Sequence, residues 1–188
     1  MLIKKARKLI EEKELVVYPT DTLYGLGGDA TSDEVVKKVF DLKERPYNMP
    51  ISIALSDIEE IEDYCFMNDL AYKIAEKFLP GAITIILKKK ADLPELLGKE
   101  KIGIRIPANE IARKIVKGMP ITSTSANKHG MEEPKSIEIA KKQLGEKVAL
   151  YIDNGILPGK ASTIIDVSEG RIKILREGAI SKEEIYGI

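Results

Sequence analysis

The chain has 188 residues, with 30 lysines and arginines set against 30 aspartates and glutamates. That length supports one well-buried core and is short for two, and zero formal charge excludes an overall basic field that would draw the protein onto nucleic acid, while a local basic groove stays open. One cysteine, Cys65, excludes an intrachain disulfide and a cysteine zinc cluster and suits a reducing interior.

The opening MLIKKARKLIEEKEL interleaves charge with apolar residues and lacks the unbroken apolar run of a signal peptide or membrane span, so a soluble, cytoplasmic protein is expected. Leu2, Ile3, Ala6, Leu9 and Ile10 recur at helical spacing within residues 2 to 13. A strand is predicted at 15–18. It runs into PTDT (residues 19–22) and the glycines Gly25, Gly27 and Gly28, a pattern that delivers hydroxyls and backbone amides to one spot. GLGG fits neither the dinucleotide fingerprint nor the phosphate loop. A helix is expected to open at Thr31 with Glu34 as its capping partner and to stop at KERP, residues 43–46, because proline disfavours helical geometry before it.

Further on, residues 51–55 read as a strand, Ser56 and Glu59 open a short helix, and 69–79 form a longer one. PGAITIILKKK (80–90) and IGIRIP (102–107) follow as β-branched strands, then a helix over 108–117, a strand over 121–125 and a helix over 136–144. Strands near 148–152, 162–167 and 171–175 and a C-terminal helix capped by Ser181 and Glu184 complete the series. Interleaved strands and helices with a hairpin around Glu169 and Gly170 predict a single α/β domain over 1–188 with a mixed, open sheet flanked by helices. The irregular stretch 126–135 is the expected lid.

Five polar clusters fall at strand ends: PTDT, KERP, Arg105, STSAN (123–127) and AST (161–163). Ligands collect there in open α/β sheets, and hydroxyls with isolated cations suit a ligand bearing phosphates or a carboxylate. Arg105 stands between Ile104 and Ile106, so it points to the opposite face of its strand and needs an anionic partner, from protein or ligand. Ser123, Ser125 and Asn127 share a side by alternation. Lys43 and Arg45 read either as phosphate ligands or as solvated charges at a helix end. His129, the only histidine, lies in a loop without an orienting partner and reads as exposed.

Taken in order, PTDTLYGLG, KERP, PGAITIIL, IGIRIP, STSAN, ASTIID and LREGAI resemble the YrdC-like family of threonylcarbamoyl-AMP synthases over nearly the whole chain, with Lys43 and Arg45 as its KxR and Ser125 and Asn127 as its SxN motif. The resemblance implies that L-threonine, bicarbonate and ATP are joined into threonylcarbamoyl-AMP with release of pyrophosphate, for N6-threonylcarbamoyladenosine in tRNA. Thr22, Arg105, Ser123 and Ser162 would then hold threonine, and Lys43, Arg45, Lys101, Ser125, Asn127 and Arg176 would face ATP. Magnesium is expected to arrive with the phosphates rather than in a protein site. A threonylcarbamoyl transferase machinery is the expected downstream partner, with weak RNA binding left open.

Two departures from the family pattern stand out: Ala54 where many relatives have a histidine, and Met49 where they often have asparagine. The extra C-terminal domain of longer members is absent, which implies a minimal form whose lid comes from its own loops. Two rival readings are an RNA-binding module with this fold and a carbamoyl-transfer domain like that of hydrogenase-maturation proteins.

Overall fold

The computed structural model describes residues 1–188 as α1 (Leu2–Glu11), β1 (Val16–Tyr18), β2 (Gly25–Gly27), α2 (Asp33–Lys43), β3 (Ser52–Ala54), α3 (Ile61–Tyr64), β4 (Cys65–Phe66), α4 (Asp69–Phe78), β5 (Ile83–Lys89), β6 (Lys101–Arg105), α5 (Glu110–Val116), β7 (Ile121–Ser125), α6 (Ile137–Leu144), β8 (Leu150–Tyr151), β9 (Thr163–Asp166), β10 (Lys173–Arg176) and α7 (Lys182–Tyr186). The strands join in the order β10-β9-β5-β6-β3-β7-β2-β1-β8, with β4 hydrogen-bonded to β5 beside this path. Three parallel ladders (β5–β9, β3–β6, β1–β8) stand among antiparallel ones, so the sheet is mixed, as the interleaved sequence pattern implies.

Alternation along the strands divides the sheet into two unlike faces. Val17, Leu26, Ile53, Ile83, Ile85, Leu87, Ile102, Ile104 and Ile165 point into the larger core, shared with Val35, Val39 and Phe40 of α2 and Ile74 of α4. The other face is covered at one end only, where Val16, Tyr18, Ala54 and Ile121 pack under Ala6 and Ile10 of α1 and Ala112, Ile115 and Val116 of α5. Arg7 of α1 fastens this cover by donating to the carbonyls of Ile115 (2.7 Å) and Lys117 (2.8 Å), which the end of α5 leaves without helical partners. What α1 and α5 leave uncovered becomes the cleft.

Local signals and structure differ at a few points. Ser32, not Thr31, caps α2 by accepting from Val35 N, while Thr31 is held by Asp29. Ser56 bonds to Glu60 rather than opening a helix with Glu59. Gly25 and Gly27 belong to a strand the sequence reading treated as loop. Their backbones do not take the left-handed conformation. They are small because a Cβ on Gly25 would lie 2.9 Å from the Tyr18 ring, and one on Gly27 would lie 2.7 Å from Ile121 and 2.8 Å from that ring.

Candidate active site

A cleft with about 750 Å³ of empty volume lies on the uncovered part of the second face. Its floor is built from residues that alternate with core residues: Ser52 of β3, Thr84 of β5, Arg105 of β6, Ser123 and Ser125 of β7 and Ile164 of β9. Gly103 lowers this floor. A Cβ there would meet Ser52 Oγ at 2.3 Å and Thr84 Cγ2 at 3.2 Å, so only hydrogen fits between the two hydroxyl-bearing side chains.

One wall is the PTDT turn. Thr20 Oγ1 donates to Leu23 O (2.7 Å), accepts from Thr22 N (3.1 Å) and lies 3.0 Å from Thr22 Oγ1, which closes the turn from within. Arg105 Nη2 donates to both Asp21 Oδ1 (2.9 Å) and Thr22 Oγ1 (2.6 Å). The anionic partner that the arginine required is therefore Asp21, at least in part, and Arg105 Nε is buried with no partner. Behind the turn, burial pushes the Tyr18 phenol up to about 12, while Arg105 and Ser123 pull the other way.

The opposite wall joins the AST and LREGAI segments. Arg176 donates to Ser162 O from Nη2 (2.8 Å) and Nε (3.2 Å), and Ser162 Oγ lies 2.9 Å from Thr84 Oγ1. Arg45 reaches in from the exit of α2, fixed by donation to Met49 O (2.7 Å) and Pro50 O (3.1 Å). Met49 thus contributes its carbonyl, and its side chain is exposed.

Three guanidiniums line this one cleft against a single lining carboxylate, Glu133. They act on one another. Burial, then the charge of Arg176, lowers the pKa of Arg45; burial lowers that of Arg176, with Glu133 opposing and Arg105 adding to the fall. Arg105 is paired with Asp21, whereas Arg45 and Arg176 donate only to uncharged oxygens, and this unneutralised positive charge prepares a place for an anion.

Of the residues proposed from sequence, Thr22, Arg45, Arg105, Ser123, Ser125, Ser162 and Arg176 line the cleft together. Lys43 and Asn127 lie behind it. Lys43, fully buried, gives its ammonium hydrogens to the carbonyls of Ser125 and Asn127 and to Asn127 Oδ1, and Ser125 Oγ donates to Asn127 Oδ1 at 2.6 Å. Burial, then the charge of Arg45, brings Lys43 down to about 7, against three oxygen acceptors that favour the protonated form. Lys101 is elsewhere: it stands at the far end of β6 from Arg105, paired with Asp166 (3.3 Å) and Glu169 (3.5 Å). His129 is exposed, and only its backbone is engaged, by donation to Lys43 O. Ala54 lies next to Arg105 in the ladder but is buried in the smaller core.

Sequence reasoning named PTDT as a cluster without singling out Thr20 or Asp21, and it missed Ser52, Thr84, Gly103 and Glu133. Thr84 carried a signal, as a hydroxyl between Ile83 and Ile85. No group of three metal-ligating side chains is present, and no helix is long and apolar enough to cross a membrane.

Comparison with known proteins agrees with this geometry. The Sua5/YciO/YrdC family model, described as telomere recombination, matches residues 8–178. The chain is 43% identical over 180 residues to a Methanocaldococcus jannaschii protein provisionally named threonylcarbamoyl-AMP synthase, covering 95% of this chain and 86% of that one. It is 34% identical over 189 residues to the threonylcarbamoyl-AMP synthase of Pyrococcus abyssi, spanning 97% of this chain and about half, 56%, of that relative. The crystal structure of P. abyssi Sua5 complexed with L-threonine superposes with a TM-score of 0.94, at 34% identity over 98% of this chain and 56% of that one. Escherichia coli YciO, an uncharacterized protein of similar length, superposes at 0.89 with 29% identity, covering 98% of this chain and 92% of its own.

Proposed function

The chain belongs to the Sua5/YciO/YrdC family, and on that premise we propose that it is a threonylcarbamoyl-AMP synthase, a nucleotidyltransferase that joins L-threonine, bicarbonate and ATP and releases pyrophosphate. The observation that carries the proposal is the convergence of Arg45, Arg105 and Arg176 on a hydroxyl-lined cleft with one lining carboxylate. A triphosphate and an amino-acid carboxylate together supply the anionic charge that this set lacks.

In this reading Arg105, with Thr22, Ser123 and Ser162, receives threonine, while Arg45, Arg176 and Ser125 face the nucleotide. Bicarbonate loses water to give carbon dioxide, the threonine amine adds to its carbon and releases a proton to form the carbamate, the carbamate oxygen attacks the α-phosphorus, and pyrophosphate departs with the electron pair of the broken P–O bond. Such a transfer needs alignment and neutralisation of charge more than a strong base, which is what fixed guanidiniums and hydroxyls provide. Lys43 and Asn127 serve ATP indirectly, by holding the backbone of Ser125 beside Arg45.

Magnesium fits as a companion of the phosphates: Glu133 is the one lining carboxylate available to it, and the cleft offers no protein cage. The product suits a separate transferase that modifies tRNA, and one buried thiol suits a reducing cytoplasm. The test is pyrophosphate release from MgATP and bicarbonate with and without L-threonine. Threonine-dependent release is expected, with Arg105→Ala raising the threonine requirement and Arg45→Ala the ATP requirement; release indifferent to threonine overturns the reading.

A further inference from the structure

Thr163 opens β9 between Ser162 and Ile164, which both line the cleft, so by alternation its side chain points to the opposite face of the sheet, where it is fully buried. There it grips the segment that follows β10. Thr163 Oγ1 accepts from Gly178 N at 2.9 Å and from Ile180 N at 3.1 Å, and it donates its own hydrogen to Ile180 O, which has none to give. One hydrogen and two lone pairs are all that a hydroxyl has, and here all three are engaged within the protein.

The two stretches of chain lie in close contact. Ala179 N donates to Ala161 O at 2.8 Å, and a Cβ on Gly178 would stand 2.3 Å from that same oxygen and 2.5 Å from the Ser162 carbonyl carbon, so no side chain fits there. Arg176 lies two residues before Gly178. Its guanidinium turns back across the AST segment, with Nη2 2.8 Å and Nε 3.2 Å from Ser162 O and Nη2 3.3 Å from Ser162 Oγ, while Nη1 engages no acceptor in the protein. The direction of this cation in the cleft therefore depends on where residues 177–180 are pinned.

We propose that Thr163 is a positioning residue for the nucleotide: by pinning Gly178 and Ile180 against β9, it holds Arg176 on the Ser162 carbonyl with Nη1 left for a phosphate oxygen. This rests on the assignment of Arg176 to ATP made above. Thr163 itself touches no substrate and acts through Arg176.

The experiment measures MgATP binding by titration calorimetry in a double-mutant cycle of Thr163→Val and Arg176→Ala, with urea unfolding as the check that each protein is folded. Thr163→Val keeps the shape but leaves two N–H groups and a carbonyl unpaired, and ATP affinity is expected to fall about five- to tenfold, with Thr163→Ser staying within about twofold of wild type. In the Arg176→Ala background the same valine should cost less than about twofold, because the group it positions is gone. Gly178→Ala displaces the segment through Ala161 O instead of the hydroxyl, and it should show the same loss and the same dependence on Arg176. Losses that add fully in the double variants, or unchanged ATP affinity in folded Thr163→Val or Gly178→Ala protein, overturn the positioning role alone. Failure of the wild-type protein to bind MgATP overturns the nucleotide reading as well.

Discussion

Lys43 Nζ donates to the Asn127 carbonyl at 2.6 Å and reaches the Asn127 side-chain oxygen at 3.3 Å, so two motifs separated by more than eighty residues form one buried joint. The joint has further fastenings: His129 N donates to Lys43 O at 2.7 Å, and Asn127 Nδ2 donates to Met131 O at 2.9 Å. Arg45 and Ser125, which line the cleft, are each two residues from it. Replacing Lys43 with methionine leaves buried oxygens without donors. The expected loss is about 2–4 kcal/mol of stability in urea unfolding, accompanied by a higher ATP requirement. Wild-type stability in that variant would show that the joint is unimportant.

Lys43 also predicts a pH dependence. An unfolded lysine keeps its proton to about 10.5, whereas folded Lys43 releases it near 7. Between those values the unfolded chain binds more protons, so the Lys43 contribution makes stability rise with pH across that window and level off on either side. The difference in unfolding free energy between wild type and Lys43→Met, followed from pH 6 to pH 10, should carry this rise. A difference independent of pH means that the carbonyl acceptors hold the ammonium charged throughout.

Gly103 is predicted to matter for catalysis more than for folding. An added methyl would press on Ser52 Oγ at 2.3 Å and Thr84 Cγ2 at 3.2 Å, raising the cleft floor, while alanine in a strand interior is otherwise no worse than glycine. Gly103→Ala should reduce kcat/KM at least about tenfold with a stability change within roughly 1 kcal/mol. Adding Ser52→Ala should recover part of the activity by removing the struck atom. No recovery would indicate that Ser52 itself contacts substrate.

Cys65 is expected to be chemically silent. It is buried beside β5, and burial pushes its thiol up to about 12, so almost no thiolate exists at pH 8. A thiol reagent should modify the folded protein only through unfolding, orders of magnitude more slowly than in denaturant. Rapid labelling of native protein contradicts the burial described here.

Strands with strong alternation were legible in the sequence, as was the stop of α2 before Pro46. So was the Ser181–Glu184 capping box. Arg105 was recognisable because a guanidinium between two isoleucines has few places to go. Lys43 was ambiguous because local sequence cannot show that a helix-end lysine points inward, toward carbonyls supplied by a distant strand. The pairing of Asp21 with Arg105 was not legible for the same reason, the two being 84 residues apart. Lys101 shares a strand face with Arg105, yet four residues of strand separate them by roughly 13 Å, enough to put it beyond the cleft. β2 was hidden because glycine gives a strand no side-chain pattern to read.

The most direct measurement is the mass of the nucleotide product formed from MgATP, L-threonine and ¹³C-labelled bicarbonate. The account predicts an adenylate carrying both threonine and the label, formed together with pyrophosphate and lost in Arg105→Ala at low threonine. An active, ATP-binding protein that yields no nucleotide containing both would contradict it.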